Sequence, residues 1–263
     1  MLTFNLNNPS RERAERQLSY LAARPEQVFV LTETAASAGC EFLVQRFRDA
    51  GYDVRFPVPQ RGERGVMFVS RLALHPGGVS FGYLPHRAVA ACVETETGPV
   101  EILGLYVPSR DATAVKTERK TRFLQEASHA IPQARQTDAR IVLGDFNILE
   151  PDHEPAYRFF QPFEYAFYEW LGRNGYHDAF RHLHPYAAEY SWVGRTGDGY
   201  RYDHAHVSAR LADALSGCLY IHEPRTMTDR LTDHSGLAVR LDLVPAEPLP
   251  VRVPGSVAEP ALF

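Results

Sequence analysis

The chain has 263 residues, 44% hydrophobic and 23% charged, with a net charge of −4 at pH 7. That is ample material for a core, and the acidic balance argues against a protein that coats nucleic acid indiscriminately while leaving room for an enzyme with one basic face. No apolar run approaches the ~20 residues that span a bilayer and no basic start precedes a long apolar stretch, so a soluble, cytoplasmic protein with no membrane partner is expected.

In chain order, residues 1–5 read as a short strand, and Pro9-Ser10 opens an amphipathic helix running to residue 23. A buried strand over 27–31 leads to Glu33, and a helix over 36–50 is stopped by Gly51. Residues 53–56 and 66–70 read as strands, and two more, 88–95 and 100–107, flank the turn signal Thr97-Gly98-Pro99. A helix over 113–130 precedes the apolar run Ile141-Val142-Leu143. Residues 154–171 look helical in part, interrupted at Pro162. Strands over 191–193 and 201–208 surround a glycine-containing turn, with further strands at 218–222 and 236–243.

Strands dominate with helices interspersed, which suggests two packed sheets with helices outside them. No composition break or repeat interrupts 1–243, which reads as one domain, while 244–263 is a Pro-rich tail, mobile or draped over the surface. Cys40, Cys92 and Cys218 lie far apart in no ligand spacing, so they read as buried thiols. Lys116 and Lys120 are the only lysines; the basic residues are overwhelmingly arginine.

The most informative segment is Gly144-Asp145-Phe146-Asn147, because an acid and an amide two apart at a strand exit can point together into a cleft. Similar signals close other strands: Asn5-Leu6-Asn7, Thr32-Glu33-Thr34 and Tyr106-Val107-Pro108, followed by Arg201-Tyr202-Asp203 and Thr232-Asp233-His234. Asn, Glu, Asp and His gathered at strand ends suit metal-assisted phosphate chemistry. His204 and His206 alternate on one strand and Asp152-His153-Glu154 is ligand-like, but neither has a spacing diagnostic of zinc.

In this order and spacing the motifs resemble the endonuclease/exonuclease/phosphatase superfamily, and within it the exonuclease III and apurinic/apyrimidinic (AP) endonuclease branch, over residues 1–243. The match is densest from Gly175 onward, through Asp178-Ala179-Phe180-Arg181-His182, Tyr190-Ser191-Trp192, Gly199-Tyr200-Arg201-Tyr202-Asp203 and Thr232-Asp233-His234. The resemblance implies an α+β fold, a four-layer α/β/β/α sandwich of two mainly antiparallel sheets flanked by helices. It implies a Mg²⁺-dependent DNA phosphodiesterase, with Mn²⁺ able to substitute. Such an enzyme acts as a monomeric AP endonuclease and 3′-5′ exonuclease or 3′-phosphatase in DNA repair, on duplex that is damaged or ends in a 3′ terminus.

The same resemblance distributes the roles. Glu33 is the first metal ligand, Asn5 supports it or touches the metal, and Asp233 is a second acidic contributor. Asp145 orients or deprotonates the attacking water, and Asn147 holds the phosphate or that water. His234 pairs with Asp203 and donates to the phosphoryl oxygen; Tyr106 contacts the phosphate or its leaving oxygen, and Asn7 reaches metal or phosphate. Arg110, with Lys116 and Arg119 beyond it, lies along DNA backbone, and Trp192, Tyr200 and Arg201 border the substrate pocket. The aromatic-rich stretch from Tyr157 to Trp170 is mostly core, with an exposed subset able to stack on bases or wedge into a duplex. The rival reading is a phosphatase or diesterase of the same superfamily acting on a small molecule, lipid headgroup or RNA; the basic segment after Tyr106 favours DNA. A non-catalytic binding protein fits less well, since every expected catalytic position is filled.

Overall fold

The computed structural model describes residues 1–254. The strands are β1 (Leu2–Asn5), β2 (Val28–Thr34), β3 (Asp53–Arg55), β4 (Gly65–Ser70), β5 (His75–Pro76), β6 (Ala88–Val93), β7 (Val100–Tyr106), β8 (Arg140–Asp145), β9 (Tyr176–Asp178), β10 (Trp192–Val193), β11 (Gly199–Tyr200), β12 (Asp203–Ser208), β13 (Leu215–Ile221) and β14 (Gly236–Leu241). The longer helices are α1 (Arg11–Ala23), α2 (Ala38–Asp49), α3 (Ala114–Ala130) and α4 (Pro162–Arg173).

Two six-stranded sheets result, in the orders β13-β14-β1-β2-β4-β3 and β5-β6-β7-β8-β12-β9, with β10-β11 a separate hairpin. Each sheet is antiparallel except for one central parallel pair, β1 with β2 and β7 with β8. A parallel pair needs a crossover, and α1 and α3 supply the two crossovers. The sheets pack face to face through Val30, Phe68, Ile102, Leu143, Val207 and their neighbours. Helices α1 and α2 cover the outer face of the first sheet around Phe4, Leu31 and Phe47, and α3 and α4 cover the second around Leu105, Phe123 and Leu171. This is the expected four-layer α+β sandwich.

Local chemistry explains the helix boundaries. Ser10 caps α1 by accepting from the Arg13 amide, and Ser37 caps α2 by accepting from that of Cys40. Pro162 does not interrupt a helix; it begins one, at a position where its missing N–H costs nothing, and Gln161 with Glu164 forms a capping box there. Residues 154–161, expected to share that helix, instead form the loop before it. Sequence reading also passed over β9, whose edge position in the sheet leaves it only three residues long.

Of the Pro-rich tail, residues 244–252 are laid along the sandwich: Ala246 donates to the Glu94 carbonyl, Leu249 to that of Arg71 and Arg252 to that of Ala50. Residues 255–263 of that tail lie outside the described residues.

Candidate active site

The two parallel pairs end at the same edge of the sandwich, and register sets their last residues side by side: Asn5 against Thr32 in one sheet, Tyr106 against Asp145 in the other. Two hydrogen bonds then cross the seam between the sheets. Asn5 Nδ2 donates to Asp145 Oδ2 at 3.0 Å, and Tyr106 Oη donates to Glu33 Oε1 at 2.9 Å. A third strand closes the group, because Asp203 at the start of antiparallel β12 pairs with Asp145.

The backbone bends sharply here. Asn7, Asn8, Glu33 and Asn147 all have positive φ, at 51°, 39°, 53° and 50°. Non-glycine residues rarely adopt this region, and its concentration around one cleft marks a place where the surrounding structure holds strained turns in position. Glu33 sits where the β2–β4 register shifts, a bulge that turns its side chain out of the sheet. Asn7 returns to Asn5 through an amide-to-Oδ1 bond of 2.7 Å, and the Asn147 amide bonds Asp145 Oδ1 at 3.0 Å, each an Asx turn. From behind, Lys120 Nζ donates to the Asn147 carbonyl at 2.5 Å and to Glu164 at 2.6 Å. Gly144 lets β7 and β8 approach, since a Cβ there would stand 2.0 Å from the Leu105 carbonyl oxygen at a φ of 146°.

His234 Nδ1 and Asp203 Oδ2 are 2.7 Å apart, both buried. The hairpin β10-β11 holds this pair: Trp192 bridges to His234, the Ser235 amide bonds the Ser191 carbonyl, and Ser191 Oγ accepts from the amides of Tyr202 and Asp203. Asp233 is held on both oxygens, by Asn7 Nδ2 at 2.8 Å and Trp192 Nε1 at 3.1 Å.

Electrostatics divide the titratable groups. Burial, and then the charge of Asp203, push the Asp145 carboxyl up to about 8, with His234 pulling the other way. Burial opposes charge on His234, but the Asp203 carboxylate outweighs it and holds the imidazole up at about 10. Burial and Glu33 push the Tyr106 phenol well above its usual range, so it stays a donor to Glu33. The cleft therefore offers a carboxyl that titrates near neutrality beside a protonated imidazole.

The donors suit a hard cation. Glu33 spends Oε1 on Tyr106, and its other oxygen has no hydrogen-bond partner among the described residues where it lines the cleft. Around it are carboxylates and amides without a thiolate, the donor set of magnesium or manganese rather than of zinc. Asp145, Asp203 and His234 also lie close enough to share an ion, with Asp203 Oδ1 buried and unpartnered among the described residues. A second grouping, Asp178 with His204 and His206, has Arg201 donating to the same Asp178 Oδ2 at 2.7 Å, so a cation there would meet a guanidinium.

A small pocket of about 260 Å³ opens over this floor; Glu33, Asn147, Asp233 and His234 form its polar side, and Phe159, Phe160, Trp192 and Tyr202 its aromatic side. Tyr200 stands just behind, stacked between Tyr157 at 4.3 Å and Tyr202 at 5.2 Å.

Two expected substrate contacts are corrected. Arg201 is fully buried and divides its guanidinium between Glu150 and Asp178, so it braces the layer beneath the pocket and does not reach substrate. Arg110 lines the pocket, but its side chain is 2% exposed and locked on Glu164 at 2.6 Å, so its charge is spent inside the protein. Farther along, Arg119 pairs with Glu63 and Lys116 with Asp111. Asp111 is a near neighbour of Lys116, but sequence could not reveal Glu63 and Glu164, the distant acids that claim Arg119 and Arg110. Sequence reading also missed Lys120 as the brace of the Asn147 turn; its being one of only two lysines in an arginine-rich chain was the available signal.

A profile of the Endonuclease/Exonuclease/phosphatase family matches residues 2–250. The chain belongs to this family. No curated protein matches it. Among solved structures, the family member is similar to the 3′-5′ exonuclease NExo from Neisseria meningitidis, at 24% identity and a TM-score of 0.77 over 92% of this chain and 98% of that one. NExo is also known as a 3′ phosphatase bound to product DNA hairpin. An AP endonuclease from Archaeoglobus fulgidus is similar at 21% identity with a TM-score of 0.77, covering 92% of this chain and 98% of that one. An AP endonuclease from Leishmania major follows at 18% and 0.71, covering 93% and 87%. At these identities the likeness establishes the fold.

Proposed function

We propose that the protein is a Mg²⁺-dependent phosphodiesterase acting on DNA, an AP endonuclease and 3′-5′ exonuclease or 3′-phosphatase of the exonuclease III kind that serves DNA repair. The observation that carries this reading is one seam holding three groups: Glu33 reaching the cleft, Asp145 tied across the seam to Asn5, and His234 fixed by Asp203. Support for DNA comes from the fold neighbours, a 3′ phosphatase bound to a DNA hairpin and two AP endonucleases. The catalytic domain covers residues 1–243, acting as a single chain on damaged duplex or its 3′ end, and three free cysteines suit the reducing cytoplasm.

In this mechanism Glu33 would be the principal ligand of a bound cation, with Asn5 and Asp233 beside it, and the positive charge it would supply there suits a phosphate. Asp145 takes a proton from the attacking water, and the burial that raises its carboxyl makes its ionised form the stronger base. Asn5 holds one Asp145 oxygen and the Asn147 amide the other, so the base is aimed before substrate arrives. His234 presents its Nε2 proton to a phosphoryl oxygen as negative charge develops there, and Asp203 on Nδ1 fixes which nitrogen faces the substrate. Asn7 and Asn147 orient the phosphate, and Tyr106 acts from beneath by holding Glu33. Trp192 and Tyr200 shape the wall that selects the sugar.

One observation favours the rival small-phosphoester or RNA reading: Arg110, which sequence placed along DNA backbone, is neutralised by Glu164, which also holds Lys120. The two readings separate when chelated protein is supplied with Mg²⁺ and assayed on abasic duplex, 3′-phosphorylated duplex, intact duplex, single strand, RNA and small phosphomonoesters. Cleavage of the first two above the others is expected. Turnover confined to RNA or small esters would replace the DNA reading, and full activity after exhaustive chelation would remove the metal.

A further inference from the structure

Phe159 is one of few large apolar side chains left in water, at 46% exposure, and it stands on the rim of the catalytic pocket. It is also held firmly. The Arg110 guanidinium lies over its ring at 4.2 Å and donates to its carbonyl at 2.5 Å, while Glu164 locks the same guanidinium from within. The buried Phe160 ring lies 5.6 Å away with its plane at 90° to that of Phe159. Ordering an aromatic ring and leaving much of it in water gains little for folding, so the arrangement points to a partner that covers it. The neighbouring floor specifies that partner's chemistry. Glu33, Asn147 and His234 are the groups read as working on a phosphate, and the pocket of about 260 Å³ has room for a sugar and its phosphate but none for a base pair as well.

We propose that Phe159 is the stacking platform for the nucleobase next to the phosphate being cut, which makes it a specificity residue for nucleotide substrates over other phosphoesters. This rests on the nucleic-acid reading of the site. Arg110 then serves as the clamp that sets the ring's angle, which gives its buried charge a function the phosphate-contact reading did not. Stacking is indifferent to base identity, so the residue confers preference for nucleic acid without sequence choice.

The test places 2-aminopurine at the 3′-terminal position of a 3′-phosphorylated duplex and follows both fluorescence and hydrolysis for wild type, Phe159→Ala and Phe159→Trp. Wild-type binding is expected to quench the probe. Phe159→Ala should lose the quench and raise KM by roughly 5- to 150-fold, the factor that base–aromatic stacking energies convert to. Phe159→Trp should restore both. Unchanged melting by circular dichroism in all three proteins shows that the variants are folded, and bis(p-nitrophenyl) phosphate is assayed with the wild type alone. Oligonucleotide cleavage and quenching that Phe159→Ala leaves unchanged would overturn the proposal alone. Wild-type protein that cleaves the nitrophenyl ester and no oligonucleotide would overturn the nucleic-acid reading and the proposal with it.

Discussion

Arg201 gives the sharpest contrast between what its sequence position suggests and what its surroundings allow. Next to Tyr200 and before Tyr202-Asp203 it reads as a pocket residue, yet it is 0% exposed, bonded to Glu150 at 2.7 and 3.1 Å, to Asp178 at 2.7 Å and to Tyr168 Oη at 3.3 Å. Replacing it with Met keeps most of the volume and removes the charge. Glu150 would retain Arg181, but Asp178, its side chain 6% exposed, would keep the Tyr168 hydroxyl, the Arg181 amide and the more distant His204 and His206 rings, with no guanidinium. Breaking a buried pair from one side costs about 3–5 kcal/mol because a carboxylate is left without its counter-charge. For a chain of this size each kcal/mol moves the midpoint by about 2–4 °C, so Arg201→Met should melt roughly 6–20 °C below wild type by circular dichroism. Below its melting range the variant should bind DNA with the wild-type salt dependence. A melting temperature within 1 °C of wild type, with a log–log salt slope shallower by about 0.9, would place the guanidinium on a phosphate and refute the structural role.

The same network predicts an acid limb. Burial would raise the Glu150 pKa, but Arg181 and Arg201 hold it down to about 2. A depressed carboxyl stabilises the fold fully above its unfolded pKa of about 4.5 and loses that contribution as pH falls toward 2, so the stability gap between wild type and Glu150→Gln should narrow from about pH 5 downward; a gap independent of pH would contradict it. Glu33→Ala should abolish stimulation by Mg²⁺ while changing stability by less than about 1.5 kcal/mol, since it loses one hydrogen bond at the cleft; equal losses of melting temperature and activity would count against a ligand role. Gly144→Ala should fail to fold or melt far below wild type, because its Cβ has no space against the Leu105 carbonyl; a soluble variant with native melting would show that β7 and β8 can part. Asp203→Ala and His234→Ala should each slow single-turnover cleavage, and the double variant should be little worse than His234→Ala alone; multiplicative losses would mean that the pair does not act as a unit.

Much of the architecture was legible because it follows local rules. The alternation and turn chemistry of residues 88–107 specify a hairpin, and Ser10 and Ser37 mark helix starts wherever the chain folds. Strand exits also carried the site: Asn5, Glu33, Tyr106 and Asp145 each follow an apolar run, and the fold brings those four ends to one seam. What sequence could not supply was the destination of charge. Arg110, Arg119 and Lys120 look like one basic face until Glu63 and Glu164, both distant along the chain, take them up. Arg201 differs for the same reason, since Asp178 approaches it only after β9 and β12 pair, and Glu150 only after β8 and β12 do. Pro162 was misread differently: its effect depends on position within the helix, and at the first turn it is a start signal.

In the proposed mechanism Asp145 activates water for attack on a phosphate in this cleft. Asp145→Asn keeps the shape and most of the hydrogen bonds while removing the basic oxygen, so one measurement bears on the claim most directly: the single-turnover rate of wild type and variant on a 3′-phosphorylated or abasic duplex in Mg²⁺, with the substrate Kd determined alongside. The rate is expected to fall by at least ~10²-fold, within the range of acid-base groups, with Kd changed no more than a few fold. A variant that cleaves at the wild-type rate would contradict it.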